Sequence, residues 1–237
     1  VTAEEEALIK GLQSTVKHPI LYAARELSRY MGKEFSGYYP SEIGAGNTIA
    51  AMFVSAMDDK STIDGDTAGG RAKPETAIST THVAGLPVYP MAVVNNFAES
   101  IFVDRCVDDY RAEVLCRYIS RTSGGRCAAA RCAIKGRELK KGLYSGSISL
   151  AIEAGKAIRT STGNPLSELI KVLNAKELFV GEIIGFSHEK RQGFNWGSIL
   201  LKGIKSYQGM EYKVWYKNEH LMAWKNNEVH VTCPDSI

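Results

Sequence analysis

The chain has 237 residues, 44% apolar and 23% charged, with a net charge of +3. That length suits one large domain or two small ones, with a core that needs no staples. The charge is too small and too scattered for a nucleic-acid partner, and no run reaches the ~18–20 apolar residues of a membrane span. The five cysteines are odd in number and include no Cys-x-x-Cys pair, which points to reduced thiols in a cytoplasmic protein. Cys127 and Cys132 could share a zinc ion, but they read more simply as small apolar side chains.

Thr2 ahead of Glu4, Glu5 and Glu6 predicts a capped helix start. Residues 19–30 repeat apolar side chains at helical spacing behind Pro19, which suits a first turn. Residues 35–41 read as a strand, 47–57 as a helix and 62–64 as a strand. This strand–helix–strand order predicts parallel pairing. Residues 86–94, 100–103 and 128–134 read as further strands, and 109–120, 147–160 and 165–173 as helices. Beyond residue 174 the pattern turns to short alternating runs, 178–184, 193–201, 212–216, 220–224 and 228–232, with turns at Gly203, Gly209 and Asn226-Asn227, the mark of hairpins. All three tryptophans lie in these runs. The expectation is an α/β domain over 1–173, a mixed sheet with flanking helices, followed by a β-rich domain over 174–237.

Two segments could carry chemistry. Ser41-Glu-Ile-Gly-Ala-Gly-Asn47 follows a strand and opens a helix. Gly44 and Gly46 let backbone approach a ligand, and N–H groups at a helix start favour an anion or a carbonyl oxygen. Asn47 reads as the helix cap. The segment has neither the three-glycine dinucleotide fingerprint nor the lysine of a phosphate loop.

The second segment, residues 62–75, holds Asp64, Asp66, Gly69, Gly70, Arg71, Pro74 and Glu75. On one extended strand Asp64 and Asp66 face the same way. They could hold a divalent cation or supply a general base, or they could orient Arg71, whose guanidinium suits a carboxylate or a cyclic imide. Glu75 after Pro74 suits a helix start. No cofactor is fixed by these residues, and a divalent metal is left open. Just beyond, Ser79, Thr80, Thr81 and His82 offer hydroxyls beside an imidazole, although sequence neighbours seldom meet in nucleophile–base geometry.

Taken together, these pieces resemble the S-methyl thiohydantoin desulfurase-like family, related to hydantoin-utilisation and oxoprolinase-type proteins. Glu42-Ile-Gly-Ala-Gly-Asn47 is similar to the family's Glu-x-Gly-Gly-x-Asn, with Ala45 in place of a glycine. Asp64 to Glu75 resembles Asp-x-Asp…Gly-Arg-Ala-x-Pro-Glu. Ser149-Leu-Ala, Gly193-Phe-Asn-Trp-Gly197, Asn218-Glu-His-Leu221 and Pro234-Asp-Ser-Ile237 are similar to later family segments, with His220 where the family has asparagine. The family's glycine-rich start and the stretch beyond its Pro-Asp-Leu-Ile are absent, so the chain reads as a piece lacking both ends. The resemblance implies a hydrolase-type enzyme of hydantoin, thiohydantoin or related cyclic amide metabolism. In that reading Asp64 and Asp66 are catalytic, and Glu42, Gly46, Asn47, Arg71 and Glu75 bind substrate. The alternative is a non-catalytic ligand-binding subunit beside a hydantoinase-like partner. Homo-oligomers are compatible with either.

Overall fold

The computed structural model describes residues 3–70, 79–191 and 194–232. By its contacts the chain divides into two compact units, Val1–Ile148 and Ser149–Ile237. The class is α/β, with helices and short sheets first and a five-stranded antiparallel sheet in the second unit.

In the first unit α1 (Ala3–Leu8) precedes α2 (Pro19–Met31), which buries Leu21, Ala23, Ala24 and Leu27 along one stripe. Burying one such leucine stabilises by about 1.5–3 kcal/mol. The helix stops where Gly32 turns left-handed and its N–H reaches the carbonyls of the last turn. The strand β1 (Gly37–Tyr38), α3 (Ala45–Met57) and β2 (Ser61–Thr62) form the anticipated parallel pair, Gly37 opposite Ser61 and Tyr38 opposite Thr62. Then β3 (Gly65–Asp66) leads past α4 (Thr80–Val83) to β4 (Met91–Val94), β5 (Ser100–Val103), α5 (Asp109–Thr122) and β6 (Ala128–Ala130). α6 (Gly136–Leu139) and β7 (Tyr144–Ser145) follow.

The three-stranded sheet β5-β4-β6 is antiparallel, with every residue of β4 buried. Val88, Met91, Val93, Val103, Ala112 and Cys132 form its core. β4 is shorter than the run anticipated over 86–94. Pro87 and Pro90 lack the N–H a ladder requires. The sheets of this unit are separate and small, with β3 pairing β7 rather than extending β1–β2.

The division at Ile148 falls within α7 (Ser147–Thr160). The second unit continues with α8 (Pro165–Leu173), where Asn164 caps the first turn and Asn174 turns left-handed to close it. The β-rich portion anticipated after residue 174 is a five-strand meander. It comprises β8 (Gly181–Arg191), β9 (Phe194–Gly203), β10 (Glu211–Lys217), β11 (Glu219–Lys225) and β12 (Glu228–Thr232). Asn226 and Asn227 both take positive φ in the β11–β12 hairpin, as a two-residue loop matching the strand twist requires.

His220 in β11 is half-buried, and its Nδ1 is shielded from solvent with no partner among the described residues. Burial pulls its pKa below the ordinary 6.5. The unfolded chain therefore binds this proton first as pH falls. The contribution of neutral His220 is present above the unfolded value and is lost as pH falls through the folded one. The urea midpoint of the sheet is expected to drop as pH falls below the ordinary 6.5, and His220→Asn is expected to reduce that drop. An identical drop in the variant overturns this.

Candidate functional site

A cleft of about 600 Å³ opens in the first unit. Its apolar wall comes from α2 (Ala24, Leu27) and α3 (Ala50, Val54), with Ile63 and with Ala129 and Ala130 of β6. Its polar lining includes Tyr39, Ser41, Asn47 and Arg131, together with Lys33, Glu34, Ser36 and Lys135. Burial raises the Tyr39 phenol well above its ordinary range, only partly offset by Arg131 nearby. The hydroxyl stays protonated and donates to the Cys132 carbonyl at 2.8 Å. Arg131 Nη2 donates to Ser41 Oγ at 3.2 Å. Asn47 Nδ2 donates to Glu42 at 2.6 Å.

Asn47 therefore does not cap α3. The helix starts earlier, with Gly44 at the cap position. Thr48 Oγ1 accepts the Gly44 N–H at 3.2 Å, and the Gly44 carbonyl accepts the Thr48 N–H at 3.0 Å. This shift puts the Gly46 N–H in the first turn, among the groups that lack an intrahelical acceptor, and frees the Asn47 side chain to line the cleft.

Asp64 and Asp66 do not share one strand. β2 pairs with β1, β3 pairs with β7, and the chain changes partners between them. Asp64 is exposed and its Oδ1 accepts the Ile148 N–H at 3.0 Å, capping the first turn of α7. Asp66 is fully buried. Its carboxylate accepts the Ala68 N–H at 2.6 Å and the Gly70 N–H at 2.9 Å, so it winds its own loop into place. Thr67 Oγ1 donates to the Ser41 carbonyl at 2.9 Å, which fastens that loop beside the 41–47 turn. Arg71 and Glu75 lie outside the described residues. No group of three or more His, Cys, Asp or Glu side chains that could hold a metal comes together among the described residues.

One family model, S-Me-THD-like, N-terminal domain, matches residues 7–105, and a second, S-Me-THD-like, C-terminal domain, matches 107–237. The chain belongs to the S-Me-THD-like family. An X-ray crystal structure of a protein from Chromobacterium violaceum matches with a TM-score of 0.72 at 20% identity, over 93% of this chain and 61% of that one. At that identity the likeness shows a shared fold, and this chain spans 61% of the matched chain's length. No curated protein matches the chain. No helix among the described residues is long and apolar enough to cross a membrane.

In this S-Me-THD-like chain both family segments build the cleft. Tyr39, Ser41 and Asn47 come from the first segment, and Arg131 and Cys132 from the second. The β4–β6 ladder joins them. Arg131 was not visible as a site residue from sequence, where it only ends an alanine run. The hydroxyls of 79–82 are spoken for. Ser79 Oγ accepts the His82 backbone N–H at 3.1 Å and meets Thr81 Oγ1 at 3.0 Å, and Thr80 Oγ1 bonds the Gly142 carbonyl. The His82 ring turns away from them to Asp109, Nδ1 to Oδ2 2.9 Å. Among the thiols, burial pushes Cys116 up to about 11 and raises Cys127, which suits apolar packing rather than nucleophilic work.

Proposed function

We propose that this chain binds a small cyclic amide, of the hydantoin or thiohydantoin kind, in the cleft at Arg131. In this reading it takes part in hydrolase-type attack on a ring carbonyl or thiocarbonyl. The observation that carries the reading is a cleft of about 600 Å³ with an apolar wall from α2 and α3 and with Ser41, Asn47 and Arg131 in its lining. A flat ring packs on the walls, and Arg131 meets its anionic edge through charge-assisted bonds. Asn47 reads the ring's polar groups, positioned by Glu42. The Gly46 N–H, at the positive end of α3, favours charge developing on the attacked oxygen. Asp64 adjoins the cleft residue Ile63 and is the carboxylate assigned to activating water. Asp66 positions the loop. Arg71, whose guanidinium suits a cyclic imide, and Glu75 keep the substrate-binding roles expected of them from sequence.

The experiment is a panel of hydantoins and thiohydantoins offered to the intact protein, with and without divalent metal. Arg131→Ala is expected to weaken binding of a confirmed ligand on the order of 10–100-fold, the range of a hydrogen bond to a charged group. Unchanged affinity would sink the reading. A non-catalytic ligand-binding subunit is favoured by one observation: Asp66, Ser79, Thr80 and Thr81 all have structural partners. Tight binding without turnover, together with a co-purifying hydantoinase-like protein, decides for that alternative.

A further inference from the structure

We infer that the tryptophan-bearing face of the five-stranded sheet is a second ligand site, for a small planar aromatic ring carrying a carboxylate or phosphate. It lies wholly in the second unit and does not depend on the cleft at Arg131.

Strand register brings the face together. Residues directly opposite in an antiparallel pair lie on one side of the sheet. Glu189 faces Trp196, Ser187 faces Ser198, and Ser198 faces Trp215. Trp196 faces Lys217, and Lys213 faces Trp224. Arg191, two residues beyond Glu189, shares that side. All three tryptophans of the chain therefore stand on one face, each from a different strand. The pleat sends buried Tyr212 and Ala223 to the other face. A concavity of about 620 Å³ opens over the tryptophans, the size of a compact ligand rather than of a polymer.

The chemistry of the lining selects the ligand. Trp196 and Trp215 lie with ring centroids 5.8 Å apart and tilted by 40°. Arg191 sits 4.6 Å over Trp196, and Lys213 sits 5.7 Å over Trp224. Lys217 reaches to within 5.4 Å of Trp196. Trp215 is the exposed plate among them, 39% accessible. A cation over an indole is already held in place by the ring, so it is positioned to meet an anion. Glu189 lies 3.8 Å from Arg191 and Glu219 stands opposite Lys217, whereas the ladder partners of Lys213 are Leu200 and Trp224. Trp196 Nε1 is a covered donor without an acceptor among the described residues. Lys213 thus stands beside open aromatic surface with no carboxylate opposite it in either ladder. A ring stacks on Trp215, while its anionic group reaches Lys213 and Arg191.

Calorimetric titration with adenosine 5′-monophosphate and with 2-naphthoate tests both sources of the anion. Adenosine and 2-naphthylmethanol serve as uncharged counterparts. At least one anion is expected to bind about tenfold or more tightly than its counterpart. Lys213→Ala is expected to remove about that factor, and Trp215→Ala to abolish binding of either ring. Both side chains are exposed, and circular dichroism checks that each variant folds. Three results overturn the proposal. One is that neither anion binds below millimolar concentration. Another is that both variants bind like wild type or that the uncharged rings bind as well. The third is that only a short single-stranded oligonucleotide binds, which makes the occupant a polymer. None of these outcomes bears on the Arg131 cleft.

Discussion

Asp66→Ala is expected to destabilise the first unit by about 3 kcal/mol, whereas Asp66→Asn costs about 1 kcal/mol. The carboxylate is fully buried and accepts two backbone N–H groups of its own loop. Alanine leaves the Ala68 N–H, itself on a buried residue, without an acceptor. Relief of carboxylate desolvation offsets part of that loss, but the orphaned donor carries its full desolvation penalty. Asparagine retains Oδ1, which accepts from Ala68 at 2.6 Å and from Gly70 at 3.1 Å, and gives up the charge and the Oδ2 acceptor that takes the Gly70 N–H at 2.9 Å. Urea denaturation of the two variants measures the difference. The same pair tests the residue's role. If Asp66 positions the loop, Asp66→Asn keeps most of any turnover found for a confirmed substrate. If Asp66→Asn folds like wild type yet has no turnover, the carboxylate acts on the reacting atoms.

The sequence signals that matched the structure were local ones. Residues 147–160 and 165–173 are helical to the residue, and 100–103 and 228–232 are strands to the residue. Each has a nearby punctuation mark, such as Pro165 after Asn164 or the Asn226-Asn227 turn. Where expectation and structure part, a longer-range partner decides. The 128–134 run ends at Ala130 because Cys132 takes a positive φ of 55° and its N–H turns to the Val88 carbonyl. That turn is what delivers Arg131 to the cleft, and the acceptor that fixes it, the Val88 carbonyl, lies far away in sequence. Likewise His82 and Asp109 are 27 residues apart, and only the fold shows that the imidazole faces this carboxylate rather than the adjacent hydroxyls. Asn47 lines the cleft instead of capping its helix, because Thr48 fixes where that helix begins.

Gly197→Ala is expected to destabilise the five-stranded sheet by about 3 kcal/mol, at the upper end of overpacking costs. The reason is closeness of approach rather than backbone angle. A Cβ at position 197 would lie 2.1 Å from the Ser187 carbonyl oxygen and 2.3 Å from Tyr216 Oη. The Tyr216 ring crosses β9 at this point and reaches His188, Nδ1 to Oη 3.0 Å. The two clashes differ in kind. The tyrosine can swing away or be trimmed, whereas the Ser187 carbonyl belongs to the adjacent strand and moves only with the backbone. Tyr216→Ala in the Gly197→Ala background is therefore expected to recover about 1 kcal/mol, a coupling typical of touching residues, and to leave the larger part of the loss. Tryptophan fluorescence is the measurement, because all three tryptophans stand on this sheet. Gly197→Ala unfolding at the wild-type denaturant midpoint overturns the packing argument. Full recovery in the double variant would place the whole constraint on the tyrosine ring. The glycine closing the Gly193-Phe-Asn-Trp-Gly197 segment thus has a physical cause, an aromatic side chain and a neighbouring strand sharing space that a methyl group would fill.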